Sequence, residues 1–301
     1  MRRMMLALAD NRTIQHMILT NGAFRRMSRR FVAGETLDEA VEAVKNLPKG
    51  THATLDCLGE NVSTAAEADR ACQMYLDIFD AIHRAGVDSN ASIKLTQMGL
   101  DLDPDLCIRN MKRVLDKAAA YNNFVRIDME GSAYTQITLD VFSQLWQTHK
   151  NVGVVLQSYL YRTEQDVAMI NQLGARVRLC KGAYAEPPEV AFPAKSDVDA
   201  NYRKLAERLI VDGVYPGIAT HDEAMIEHVK SFTKSRGIGT DRYEFQMLYG
   251  IRRAKQEQLK AEGHNVRIYV PFGSQWYPYF MRRLAERPAN LMFILKALVQ
   301  K

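Results

Sequence analysis

The chain has 301 residues, 47% of them hydrophobic and 25% charged, which suffices for one large core and argues against a long disordered tract. The net charge of +5 is unevenly placed: residues 1–30 hold Arg2, Arg3, Arg12, Arg25, Arg26, Arg29 and Arg30 against Asp10, a local +6 that leaves the remainder at −1. A near-neutral main body without zinc-finger spacing or an alternating aromatic–basic pattern excludes a nucleic-acid groove.

The first apolar run, Met4 to Ala9, is shorter than the roughly 7–15 residues of a secretory core and has no clear small-residue cleavage site. No stretch approaches the ~18–20 apolar residues that span a bilayer. A soluble cytoplasmic protein is expected. The basic segment is read as a solvated helical lid, with peripheral contact to anionic lipid at the inner membrane face as the alternative. Residues 36–47 are amphipathic and predict a helix over the barrel or its edge. The reading is therefore a helical arm over 1–47 and a catalytic barrel over 48–301.

Eight short runs rich in β-branched residues follow: 51-THATLDCLGE, 91-ASIKLTQ, 124-FVRIDME, 152-VGVVLQS, 176-RVRLCKGAY, 217-GIATHD, 243-YEFQML and 266-VRIYVPFG. Helical patterns separate them. The first, over 64–85, ends at Gly86; the next, over 105–121, carries Leu106, Ile108, Met111, Val114 and Leu115 at helical spacing. A shorter helix is expected over 139–149. Then come 163–173 with a Thr163 cap, 199–211, 222–232, 252–262 and 276–287, and a last helix over 289–300 outside the barrel. Eight strand–helix units predict an α/β fold, a closed parallel (β/α)8 barrel of TIM type. The rival open sheet would want a GxGxxG turn after its first strand, and 56-DCLGEN is not one.

In such barrels chemistry sits at the C-terminal strand ends. There stand Asp56 and Glu60, Lys94, Asp128 and Glu130, Gln157, Arg178 and Lys181, Thr220, His221 and Asp222, Gln246, and Tyr269. Each has an ordinary reading: Lys94 paired with Asp128, Arg178 in an interior ion pair, Thr220 and Asp222 as helix caps, Gln157 and Gln246 as layer-filling amides. Together they describe a polar site lined by both signs, and buried charges demand such a reason. Cys57, Cys72, Cys107 and Cys180 form no CxxC pair and are read as free, buried thiols. The seven histidines show no HxH or HExxH spacing, so no metal is expected, and no nucleophile elbow is present.

The segment 277-YPYFMRRLAERPAN places Tyr279, Arg282, Arg283 and Glu286 on one broad helical face. Adjacent guanidiniums repel unless an anion lies between them. Glu286 can neutralise one, and the other is free to grip a carboxylate or phosphate bidentately.

The segments LDCLGE, SIKL, IDME, Gln157 with Tyr159, RLCKGAY, ATHD, EFQMLYG, RIYVPFG and YFMRRLAERPAN, in that order over about residues 50–295, resemble the proline dehydrogenase family, monofunctional bacterial type. The resemblance implies FAD-dependent oxidation of L-proline to Δ1-pyrroline-5-carboxylate, by hydride transfer to flavin N5 with electrons passed to membrane quinone. This is the first step of proline catabolism to glutamate. It assigns the proline carboxylate to Arg282 and Arg283, and the walls of the substrate pocket to Lys94, Leu248, Tyr269 and Tyr279. Asp128 falls beside Lys94 and the flavin, and Arg178 near flavin N5, both as catalytic positions. Gln157, Lys181, Gly182, Ala183, Thr220 and His221, with Gln246 and Glu286, fall at the cofactor. Glu60 is implied as a gate that pairs with Arg282. Arg178 would stabilise negative charge on the reduced flavin. Tyr269 would crowd a substituted ring and favour proline over hydroxyproline. No aldehyde dehydrogenase or DNA-binding domain is expected, so a separate pyrroline-5-carboxylate dehydrogenase would take the product. Outside this class, a Schiff-base aldolase using Lys94 or Lys181 is one alternative, and a non-enzymatic binding barrel is another.

Overall fold

Each short strand alternates residues that face the helices with residues that face the barrel interior. The computed structural model describes the backbone of residues 28–285 and the side chains of residues 28–281. Helix α1 (Leu37–Lys45) precedes β1 (His52–Cys57), α2 (Ala65–Ala85), β2 (Ser89–Ile93), a 3-10 turn (Leu95–Met98), α3 (Pro104–Ala120), β3 (Val125–Ile127) and α4 (Ser132–Trp146). Then follow β4 (Val152–Gln157), α5 (Thr163–Leu173), β5 (Arg176–Cys180), α6 (Lys195–Asp212), β6 (Gly217–Ala219) and α7 (Glu223–Arg236). A 3-10 turn (Thr240–Arg242), β7 (Glu244–Leu248), α8 (Arg253–Ala261), β8 (Asn265–Phe272) and α9 (Trp276–Ala285) complete the series. The eight strands close in sequence order into a parallel barrel, with β1 paired to β8 from His52↔Arg267 to Cys57↔Phe272. The expected (β/α)8 architecture is therefore present. The arginines of residues 1–27 and the helix expected over 289–300 lie outside the described residues.

Three helices differ from expectation by a turn or more; one of them, expected over 222–232, runs on to Arg236 and ends at Gly237 in the left-handed conformation. The helix expected over 139–149 is Ser132–Trp146, which begins a full two turns earlier. Its threonine-rich first half has weak helix propensity, but Thr135 and Thr138 are buried, so packing overrides propensity. The helix expected over 199–211 starts at Lys195, and an ion pair between Lys195 and Asp199, one turn apart, spans the added turn.

Helix α1 packs on α2 and β8. A capping box opens it: the Thr36 hydroxyl accepts from Glu39 N at 3.3 Å, and Glu39 Oε2 accepts from Thr36 N at 3.2 Å. Thr36→Ala is expected to lower stability by about 1 kcal/mol, read from chemical denaturation; an unchanged midpoint would mean that packing alone holds α1.

The residues facing the helices are apolar: Ala53 and Leu55, Val125 and Ile127, Val177 and Leu179, Phe245 and Met247, all buried. The interior is not. Barrels of this type are ordinarily filled by layers of branched apolar side chains. Here Arg126 crosses the barrel floor and donates to the carbonyls of Val154 (3.2 Å) and Arg176 (2.6 Å). Glu244 accepts from Arg267 Nε at 2.7 Å and from Gln246 Nε2 at 2.6 Å. Glycines make the room: a Cβ at Gly153 would stand 2.5 Å from Arg126 Nη1, and one at Gly217 would collide with the Gln246 amide. Sequence reading missed Arg126, Glu244 and Arg267. Each precedes a strand-end site residue (Asp128, Gln246, Tyr269) by two positions, so the period of two was the available signal.

Among the described residues no helix is long and apolar enough to cross a membrane.

Candidate active site

A cavity of about 590 Å³ opens at the C-terminal ends of the strands. Strands β1, β2, β3, β5 and β8 bring their polar residues together in its floor. Lys94 directly follows β2, and its ammonium lies 3.4 Å from Asp56 Oδ1. The expected Lys94–Asp128 pair is thus corrected: β2 lies between β1 and β3, and the nearer carboxylate comes from β1. Burial opposes charge on Lys94, yet attraction from Asp56, Asp128 and Glu60 outweighs it and holds the ammonium above the ordinary lysine range. Asp56 is raised by burial, against the pull of Lys94, and further by repulsion from Asp128.

Asp128 instead takes Arg178 and Tyr269. Arg178 Nη1 donates to Asp128 Oδ1 at 2.7 Å and to Ser92 Oγ at 3.1 Å, and Nε donates to Gln246 Oε1. Tyr269 donates its hydroxyl to Asp128 Oδ2 at 2.7 Å, and its ring lies 5.2 Å from the Arg178 guanidinium carbon. Burial first, then the charges of Asp128 and Asp56, push the Tyr269 phenol far above its ordinary value, so it stays a neutral donor. The interior ion pair anticipated for Arg178 is therefore present. Two polar atoms here have no hydrogen-bond partner among the described residues: Arg178 Nη2 and Gln157 Oε1, the latter at the end of β4. Buried and unsatisfied, a cationic donor and a neutral acceptor in one cavity wall call for a polar ligand.

The loop after β5 forms another wall with Lys181, Gly182, Ala183 and Tyr184. Lys181 bonds Asp199 and, at 2.7 Å, Asp222; two of its three donors are thus committed within the protein. Gly182 has φ of +117°, and a Cβ there would overlap the Tyr159 ring. At the end of β6, Thr220 Oγ1 accepts from Asp222 N at 3.0 Å, and Asp222 Oδ1 accepts from Ala224 N at 3.1 Å as the cap of α7. His221 Nε2 accepts from Leu248 N at 2.9 Å, which places a neutral ring's proton on Nδ1. Gln246, Leu248 and Tyr279 also line the cavity.

Asp199 and Asp222 are each pushed up by burial but pulled further down by Lys181 and Lys195, so both titrate below the ordinary aspartate value. A carboxylate with a depressed folded pKa contributes stability above its unfolded pKa and loses it as pH falls through the folded one. Lys181→Met is therefore expected to destabilise the ligand-free protein most near neutral pH, with the gap to wild type closing below about pH 4. Parallel acid-denaturation curves for the two proteins would contradict this.

Glu60 is placed apart from the main cavity, in an adjoining one of about 80 Å³ that shares Lys94 and Tyr279 with it. Arg282 and Arg283 stand on α9 three and four residues past Tyr279. Their side chains, the Glu60–Arg282 pairing and Glu286 lie outside the described residues. Among the residues that sequence reading missed at the cavity are Met129, Cys180 and Tyr184, together with Ser92, whose hydroxyl holds Arg178. Ser92 faces inward two positions before Lys94, so its signal was present; the other three carry no charge pattern to mark them. The four cysteines are free: Cys72 and Cys107 are buried, Cys57 and Cys180 half-buried, and burial pushes the Cys57 and Cys180 thiols up to about 12. No group of three metal-ligating side chains occurs among the described residues.

Comparison with known proteins bears on this geometry. The family model described as Proline dehydrogenase matches residues 39–296. Proline dehydrogenase 2 of Bacillus subtilis (strain 168) is 41% identical over 282 residues, covering 93% of each chain. Proline dehydrogenase of Deinococcus radiodurans is 41% identical over 305 residues, covering 99% of this chain and 98% of the relative. The chain belongs to the proline dehydrogenase family. The match takes in every barrel strand and the Arg282–Arg283 segment, so the resemblance read from sequence is borne out. Among solved structures, proline utilization A (PutA) from Bdellovibrio bacteriovorus inactivated by N-propargylglycine superposes with a TM-score of 0.82 at 22% identity, over 94% of this chain and 38% of that one. A Bradyrhizobium japonicum PutA mutant, D778Y, gives 0.76 at 25% identity, over 89% and 31%. This proline dehydrogenase family chain thus spans about a third of those larger proteins. Membership makes it an oxidoreductase of proline catabolism. It also disposes of the aldolase alternative, in line with the site: Lys94 is held charged, and Lys181 sits between two carboxylates.

Proposed function

We propose that the chain oxidises L-proline to Δ1-pyrroline-5-carboxylate with FAD and delivers the electrons to a quinone. The observation that carries this reading is the pair of unsatisfied buried atoms, Arg178 Nη2 and Gln157 Oε1, facing one cavity whose floor is the Lys94–Asp56 and Arg178–Asp128 pairs.

The residues fit a flavin. Gln157 and Arg178 offer the acceptor and donor that the edge of its ring system requires, and Gly182, whose missing side chain leaves room for the Tyr159 ring, keeps the loop after β5 against the cavity. Lys181, Ala183, Thr220, His221, Gln246 and Glu286 are assigned to the rest of the cofactor; Lys181 has one donor left for it. FAD, when bound, would supply the hydride acceptor. The chain's own residues bind, orient and set charge. Arg282 and Arg283 hold the proline carboxylate, while Leu248, Tyr269 and Tyr279 enclose the ring. Asp128 fixes Arg178 and Tyr269 together from one side, so that the guanidinium and the phenol are set before substrate arrives. The fixed charge of Lys94 and the two arginines favours the neutral form of the substrate amine, which must be neutral when its C–H bond is broken. Tyr269 leaves little space for a ring hydroxyl, which selects proline over hydroxyproline. Glu60, in its side pocket beside Lys94 and Tyr279, is the gate that closes on Arg282. Residues 1–47 are assigned to an N-terminal arm, whose basic segment over 1–30 is read as a solvated lid, with contact to the anionic membrane face where quinone resides as the alternative.

The test is the visible spectrum of the purified protein before and after anaerobic L-proline. Flavin bands that bleach with proline are expected. Protein that carries flavin but is not bleached would overturn the substrate, and protein that takes up no flavin would overturn the cofactor.

A further inference from the structure

We propose that Glu244, at the base of the barrel interior, is a positioning residue for Arg178 and acts through the side-chain amide of Gln246. The inference rests on the reading of Arg178 as the group that faces the redox centre. It concerns how that group is aimed.

Four residues stand in line. Arg178 Nε donates to Gln246 Oε1, Gln246 Nε2 donates to Glu244 Oε1 at 2.6 Å, and Arg267 Nε donates to the same Glu244 oxygen at 2.7 Å. Arg267 is itself anchored, through Nη1, on the Ala53 carbonyl at 2.6 Å. All of Glu244, Gln246 and Arg178 are at least nine-tenths buried, so water cannot substitute for a missing partner. A guanidinium only donates and a carboxylate only accepts. Between them, the amide of Gln246 has a single satisfied orientation, carbonyl toward Arg178 and amino group toward Glu244. Flipped, it would set amino group against guanidinium and carbonyl against carboxylate. Glu244 is charged to do this: burial raises it, but Arg267 and the bonds from Arg267 and Gln246 pull it below the ordinary glutamate value. The neighbouring strand β6 contributes Gly217, where any side chain would fill the space of the Gln246 amide. Arg178 is then held at Nε by Gln246 and at Nη1 by Asp128 and Ser92, and Nη2 is the one nitrogen left for the cavity. Without Glu244 the amide could turn over, and Nε, a fixed point of the guanidinium plane, would be lost.

A double-mutant cycle decides it, with FAD affinity of the flavin-free protein, thermal melting, and kcat and KM for proline as readouts. Gln246→Glu sets two carboxylates against each other; FAD affinity and kcat are expected to fall about tenfold or more, with KM for proline within about twofold. The exchange variant Glu244→Gln/Gln246→Glu restores every donor–acceptor match after a small rotation: Gln at 244 accepts from Arg267 and donates to Glu at 246, which accepts from Arg178. Both variants lack the Gln246 amide at the cavity, so the exchange variant is read against Gln246→Glu alone, and recovery of kcat and FAD affinity by about threefold or more over that single variant is expected. If Glu244 only neutralises Arg267, Glu244→Gln adds its own loss, and a double variant worse than Gln246→Glu overturns the proposal. Should Gln246→Glu fail to fold, thermal melting decides: an exchange variant that folds and melts cooperatively supports the relay, and one that also fails to fold refutes it. Wild-type protein that proline does not bleach would instead refute the underlying reading of the site.

Discussion

Replacing Arg178 by methionine is expected to lower kcat for proline oxidation by about 10²–10³, with KM changed far less. Arg178 is a preorganised cation: three of its hydrogen bonds go to Ser92, Asp128 and Gln246, on β2, β3 and β7, and its guanidinium lies over Tyr269 of β8. No reorganisation is needed when negative charge develops in front of it, which is why such groups act strongly in a dry site. The same substitution has a structural cost. Asp128 is 12% exposed at its side chain and would be left without its cation, a loss of about 3–5 kcal/mol. The two effects separate in a second variant. Arg178→Met with Asp128→Leu removes the orphaned charge and should regain at least about 1 kcal/mol of stability, yet kcat should remain low. Arg178→Lys keeps the charge but loses the planar fork that meets Gln246, Ser92 and Asp128 at once, and should fall between. Rapid-mixing measurement of flavin reduction by proline, with melting curves of the flavin-free proteins, gives both numbers. A kcat for Arg178→Met within tenfold of wild type would remove Arg178 from the chemistry.

How far the sequence reaches follows from which interactions are local. The barrel was legible because eight short runs each carried the period of two, and because ionisable residues recurred at the same end of each. The side pocket around Glu60 and the cavity walls at Gln157, Lys181, Thr220 and Gln246 were found by that rule. The partners were not. Lys94 lies between two carboxylates of neighbouring strands. The register that sets Asp56 opposite Ser92 and draws Asp128 N onto the Ile93 carbonyl is a long-range fact, which no reading of 91-ASIKLTQ supplies. The interior arginines were missed for a different reason. A charge inside a strand pattern ordinarily marks a solvated face, whereas Arg126 and Arg267 reach backbone carbonyls across the barrel, and Arg267 also Glu244, in space left by Gly153 and Gly217. The early start of α4 failed on propensity, since nothing local shows that Thr135 and Thr138 will be buried.

The second large effect is expected at Gly182, where an alanine should cost about 3 kcal/mol or more and lower FAD affinity by over tenfold. Two costs combine. A φ of +117° is one that L-residues rarely adopt, worth about 1–3 kcal/mol by itself. The added Cβ also overlaps the Tyr159 ring, and that ring cannot withdraw freely. Its hydroxyl donates to Glu186 Oε1 at 3.2 Å; Glu186 in turn accepts from Ser132 N at 2.8 Å and from the Ser132 hydroxyl, at the start of α4. The loop over 181–194 is further tied to the segment after β4 by Phe192 N on the Tyr159 carbonyl at 2.8 Å and Tyr161 N on the Val190 carbonyl at 3.1 Å. A displaced Tyr159 would thus disturb the strap that holds Lys181, Gly182 and Ala183 against the cavity. Relief by a second substitution distinguishes the two costs. Tyr159→Leu with Gly182→Ala removes the overlap but leaves the backbone conformation, so it should recover less than half of the lost stability. Full recovery would show that space alone requires glycine here, and no recovery would show that the dihedral does. A Gly182→Ala protein that melts and binds FAD as wild type does would mean that the loop rearranges at no cost, and Gly182 would lose its place in the cofactor seat.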